Sequence, residues 1–158
     1  MENWGIFFAA QVGASAALAG LIFVSVSLSL AKIIALPHLP ARAFQALVVL
    51  LEILILASLA MVPQPVTTLG VEVLVIGGFV WGLVLYFDRL TLRAAGSEYR
   101  GRALSRMALS QIAALLYVIA GIAMLAGSGG FYWLVPAIIC SYLIAMLDAW
   151  VLLVEINR

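Results

Sequence analysis

The sequence predicts an all-α integral membrane bundle of five transmembrane helices, amino terminus outside and carboxyl terminus cytoplasmic. Three observations predict it. The 158-residue chain is 66% hydrophobic and 9% charged, with a mean hydropathy of +1.24. Soluble domains carry about a quarter charged residues, so the solvent this composition fits is lipid. The apolar runs are continuous over about 20 residues or more, the length a spanning helix needs, and do not alternate as barrel strands do. Finally, the cationic residues fall into groups that five spans place on one side.

The spans follow from the residues that punctuate them. The first covers about 4–36 and ends at "LPHLP", where Pro37 and Pro40 break a helix. The second covers 43–62 and ends at "PQP", and the third 66–92, before the basic segment "RAAGSEYRGR". The fourth covers 103–126 and ends at "GSGG", and the fifth 131–156. Together they form one transmembrane domain over 1–158. The start "MENWGIFF" lacks the basic region of a cleavable signal, so the first span is expected to be retained.

Lys32 and Arg42 flank the first loop, Arg89, Arg93, Arg100, Arg102 and Arg106 the third, and Arg158 the end of the fifth span. Five spans bring all eight to one face, cytoplasmic by the positive-inside rule. Trp4, Phe7, Phe8, Phe131, Tyr132 and Trp133 then mark the outer interface, and Tyr86, Phe87 and Trp150 the inner one. A shift of sixty residues aligns "ARAF" with "GRAL", Asp88 with Asp148 and Leu92 with Leu152. A true duplication would pair spans two and three with four and five, and leave the first as an addition.

Polar residues inside the spans are the candidate functional residues. Glu52 lies ten residues beyond Arg42 and eleven before Pro63, near the bilayer midplane. A charge there costs about 3 kcal/mol on insertion scales, so such residues mark function or a specific partner. Two states suit it: a neutral acid clamping a neighbouring helix, or a carboxylate lining a hydrated cavity. Gln45, seven residues earlier, shares its face. Glu72 lies about two turns inside the third span, close to an interface. Asp148, with Ser141 on its face, is expected to bond a neighbouring helix or to pair with Arg89 or Arg106. Asp88 is expected to form a solvated pair with Arg89. No basic residue is expected deep in the membrane, which leaves Glu52 without a counter-ion and favours contact with protons or cations.

In the first span Gln11, Ser15, Ser25 and Ser29 fall near one face, and Gly13, Ala17, Gly20 and Ser27 on a neighbouring face of small residues. Small residues at that spacing let helices approach closely in lipid. The span is expected to be a packing helix, central to the bundle or at a subunit interface; the sharper alternative is a pore-lining helix. In the fourth span Gln111, Ala114 and Gly121 form a similar face, and both Gln11 and Gln111 are candidate partners of the buried acids.

Catalytic constellations are absent from the sequence. The single His38 lies between two prolines, the single Cys140 lies in an apolar run, and "GSGG" follows no strand. No enzyme, metal, cofactor or nucleic-acid partner is expected. The short loops leave only "RLTLRAAGSEYRGRALSR" to meet a soluble partner or anionic headgroups.

The segments "FFAAQVGASAALAGLIFVSVSLSL" and "FYWLVPAII…DAWVLLVEINR" resemble a family of small multi-pass bacterial inner-membrane proteins, some labelled modulators of the membrane-anchored AAA protease. The resemblance implies a bacterial cytoplasmic membrane. Two functions are expected from the whole reading. One is a homo-oligomeric cation or proton channel or transporter with Glu52 as its midplane site. The other is a non-transporting partner that modulates or stabilises another membrane protein complex.

Overall fold

The computed structural model describes residues 2–35, 39–94 and 100–152, which form six helices. These are α1 (Glu2–Leu28), α2 (Leu30–Ala35), α3 (Leu39–Met61), α4 (Val66–Ala94), α5 (Arg100–Leu125) and α6 (Gly130–Trp150). Five are long and apolar enough to cross a membrane, as a multi-pass membrane protein requires. Pro37, His38, residues 95–99 and everything beyond Leu152, including Arg158, lie outside the described residues. The same holds for the side chains of Lys32, Arg100 and Arg102.

The first predicted span is divided. α1 ends at Leu28 and α2 resumes at Leu30. Backbone bonds from Ser29 N–H to Ser25 O and from Ile33 N–H to Ser29 O keep the chain helical across the joint. Just before it, the Ser25 and Ser27 hydroxyls donate to the carbonyls of Leu21 and Phe23 at 2.7 and 2.8 Å. Back-bonding of this kind bends helices. Pro40 does not break a helix: it lies in the first turn of α3, where its missing N–H costs nothing.

α3, α4, α5 and α6 form a closed ring in which each helix packs on its two neighbours, and α1 packs against α3 from outside. Short turns at 62–65 and 126–129 make consecutive helices antiparallel. The second turn uses Gly127 and Gly129 at φ 68° and 74°, a region that residues with a Cβ rarely enter. The first span is therefore not central to the bundle. α3 holds that place, with Ala46, Leu50 and Ile53 fully enclosed.

The core runs through the ring from Leu50 and Ile53 past Val73, Tyr117, Ala120 and Met124 to Leu134. Lipid gives helices no hydrophobic drive toward each other, so close contact carries much of the association. Gly70 and Gly121 supply it between α4 and α5. A Cβ on Gly121 would stand 2.6 Å from Leu74 Cγ and 3.1 Å from Gly70 O. At one end of the bundle Trp4 stacks on Phe131, centroids 5.5 Å apart, with Phe7, Phe8 and Tyr132 around them. This aromatic end is opposite the basic end, where Arg42, Arg106, Asp88 and Asp148 meet.

Candidate functional site

At the basic end each helix of the ring contributes one polar side chain or more to a single buried cluster. α6 brings Asp148, fully buried, whose Oδ1 accepts from Arg42 of α3 (Nη2 at 2.9 Å, Nε at 3.1 Å) and from Arg106 Nε of α5 at 2.7 Å. Arg106 Nη2 donates to Asp148 Oδ2 and, at 3.0 Å, to Gln45 Oε1. Its Nη1 donates to Asp88 Oδ1 of α4 at 3.1 Å. The Gln45 amide donates to the same Oδ1 at 3.0 Å. Asp88 Oδ2 accepts from Ser110 Oγ at 2.6 Å and from Gln111 Nε2 at 3.2 Å. Gln111 Oε1 is held in turn by the Trp81 indole at 2.7 Å.

Each carboxylate oxygen in the cluster thus has a donor, and the two aspartates balance the two arginines. Arg42 and Arg106 are partly exposed, with side chains 18% and 10% accessible, and Gln111 and Trp81 are half-buried. Asp148 therefore pairs with Arg106, one of its two expected partners, and also with Arg42. Asp88 requires a correction. It is not a solvated partner of Arg89: it is 2% exposed and bonded to Gln45, Arg106, Ser110 and Gln111, while Arg89 is exposed. Arg106, expected near the inner end of the fourth span, is largely buried at that end. Arg106 folds inward because two carboxylates and an amide oxygen await its guanidinium, a planar fork that can serve them all.

Glu52 lies ten residues from Arg42, ~15 Å deeper along α3. It is 5% exposed, and its carboxyl has no hydrogen-bond partner among the described residues. Every fully enclosed polar side-chain atom of the described residues has one. The Glu52 carboxyl instead opens on a cavity of about 10 Å³ inside the ring, about one water in size. Ser110, Trp81, Tyr117 and Ser141 line it together with Val49, Val80 and Ile144, and its surface is mostly apolar. Gly77 keeps α4 clear of the acid: a Cβ there would lie 3.8 Å from Glu52 Oε1 and 3.3 Å from Tyr117 Cβ. Across the cavity Tyr117 Oη and Ser141 Oγ lie 3.3 Å apart.

The other expected residues lie elsewhere. Gln45 is part of the basic cluster rather than a neighbour of the Glu52 carboxyl. Gln111 partners a buried acid, whereas Gln11 does not: the Gln11 carbonyl accepts from Tyr142 Oη at 3.2 Å. Ser15 and Ser25 are buried and bond carbonyls of α1 itself, Ser29 is half-buried, and none of the three lines the cavity. Glu72 accepts from Gln64 Nε2 at 2.8 Å and ties the α3–α4 turn. Gly121 packs within the protomer, while Gly13, Ala17 and Gly20 face outward. Sequence reasoning missed Ser110, Tyr117 and Trp81. The signal for Ser110 was its place beside Gln111, four residues after Arg106; Tyr117 and Trp81 carried none beyond being aromatic.

No protein-family model, curated protein or solved structure matches this chain. The site is read from its own geometry.

Proposed function

We propose that the protein transports protons or cations at Glu52, in a bacterial cytoplasmic membrane, with its basic end in the cytoplasm and its amino terminus outside. The observation that carries this reading is Glu52 itself, an acid near the midplane that lines a cavity and has no hydrogen bond to any of the described residues. A clamp would hold the neighbouring helix by a hydrogen bond, and no such bond is present among the described residues. The cost of placing an acid at this depth is offset by no contact, which fits a group kept for exchange with a cargo. The test is proton, sodium and potassium flux in liposomes holding purified protein, wild type beside Glu52→Gln at equal protein mass. Flux that falls at least tenfold in the variant supports the site, and equal flux contradicts it.

The outward face of α1 favours a second element of the reading. Gly13, Ala17 and Gly20 are exposed, and a Cβ on Gly13 or Gly20 would meet nothing within 4 Å. Small residues that serve no contact inside the protomer suit a close helix–helix contact outside it, here with a second copy of the chain. Gly13→Leu and Gly20→Leu are expected to leave the protomer's stability unchanged and to dissociate the assembly in mild detergent. Wild-type mass for both variants would show that the interface lies elsewhere. A non-transporting role, in which the protein docks on and modulates another membrane protein complex, is the alternative if neither protein conducts.

A further inference from the structure

The cavity beside Glu52 and the basic cluster share two residues, Ser110 and Trp81. Ser110 lines the cavity, and its Oγ lies 2.6 Å from Asp88 Oδ2 and 2.8 Å from Met107 O. A hydroxyl carries one proton and two lone pairs, so these acceptors compete for a donor that turns between them. The result is a polar file of Arg42, Arg106, Asp88, Ser110, cavity and Glu52. It runs from the basic end to the middle of the ring. Beyond the Tyr117–Ser141 pair the file stops, because Leu56, Val73, Ala120, Met124 and Leu134 fill the ring toward the aromatic end.

Building on the reading of Glu52 as a proton or cation site, we infer that its cargo is the proton alone, and that Asp88 and Ser110 relay it between Glu52 and the basic end. Metal cations are excluded by coordination. Hard cations take about six or more oxygen ligands. The Asp148 and Asp88 oxygens are already occupied by Arg42, Arg106, Gln45, Ser110 and Gln111. The cavity offers one carboxylate and three hydroxyls around a space of about 10 Å³. No group of three acidic, histidine or cysteine side chains that could hold a metal occurs among the described residues. A proton needs no coordination shell and one acceptor at a time.

A hydronium ion at the basic end gives its extra proton to the Asp88 carboxylate and leaves as water. Asp88 passes it to Ser110 Oγ as the serine's own proton leaves for a water in the cavity. That water delivers a proton to the Glu52 carboxylate, and the Ser110 hydroxyl then turns back toward Asp88. The groups that face these carriers are Arg106 and Gln111 of α5 and Gln45 of α3 at Asp88, and Tyr117 of α5 and Ser141 of α6 at Glu52.

The experiment is infrared spectroscopy of the protein in liposomes after a pH jump. The Glu52 carbonyl band is assigned by its loss in Glu52→Gln. Ser110→Ala keeps both arginine–aspartate pairs and is expected to slow the Glu52 response at least tenfold. Ser110→Thr, which restores a hydroxyl, is expected to return it. Asp88→Asn is expected to slow it likewise. An unchanged rate in Ser110→Ala overturns the relay while leaving Glu52 as the transport site. A silent Glu52 in the wild-type protein overturns both. Sodium or potassium flux that depends on Glu52 overturns the proton-only cargo.

Discussion

Arg106→Ala is expected to destabilise the bundle by about 3–5 kcal/mol, the cost of breaking a buried ion pair from one side. The effect is large because one guanidinium serves two acids. Its removal leaves Asp88 with amide and hydroxyl donors only, and leaves Asp148 with Arg42 alone. Three of the four ring helices lose their shared contact at once. Arg42→Ala should cost less, since Asp148 keeps Arg106. Arg89→Ala should change stability by no more than about 0.5 kcal/mol, as for other exposed sites. Helicity followed through unfolding in mixed mild and denaturing detergent measures all three. Equal losses for Arg106→Ala and Arg89→Ala would show that the cluster does not hold the helices together.

The number of spanning helices and much of their boundaries were legible because apolar length and proline or glycine punctuation are local properties. The 62–65 and 126–129 turns lie where "PQP" and "GSGG" place them. The break near Ser29 was not legible. It arises where serine hydroxyls bond their own helix, and the same residues in an unbent helix spell the same sequence. Nor was the place of α1. Its Gly and Ser pattern is compatible with a central helix, and only the closure of α3 to α6 into a ring puts it outside.

The site was legible in part for a related reason. Depth could be counted from the ends of a span, so Glu52, Gln45 and Asp148 stood out as polar residues in lipid. Partners could not be counted. Asp88 adjoins Arg89 in sequence, but residues one apart on a helix point about 100° apart, so the arginine that reaches Asp88 comes from α5, eighteen positions on. Asp88 and Asp148, which lie sixty residues apart, both bind Arg106. The cavity needed the fold outright, because Ser110, Tyr117 and Ser141 come from two helices and converge on Glu52 of a third.

Glu52→Leu is expected to make the protein more stable and inactive. A largely buried acid that bonds no described protein group costs about 1–3 kcal/mol. Leucine removes that cost, leaves no donor stranded and adds apolar contact with Val49, Val80 and Ile144 around the cavity. An acid that clamps two helices gives the opposite result, since its loss breaks the contact. A gain in stability coupled to a loss of function is what a site retained for its chemistry shows.

The most direct measurement is therefore made on wild type and Glu52→Leu side by side: unfolding stability in detergent and proton flux in liposomes, from the same preparation. The expected result is a variant more stable by about 1–3 kcal/mol that carries no protons. A variant that is less stable than wild type, or that conducts as well, would contradict it.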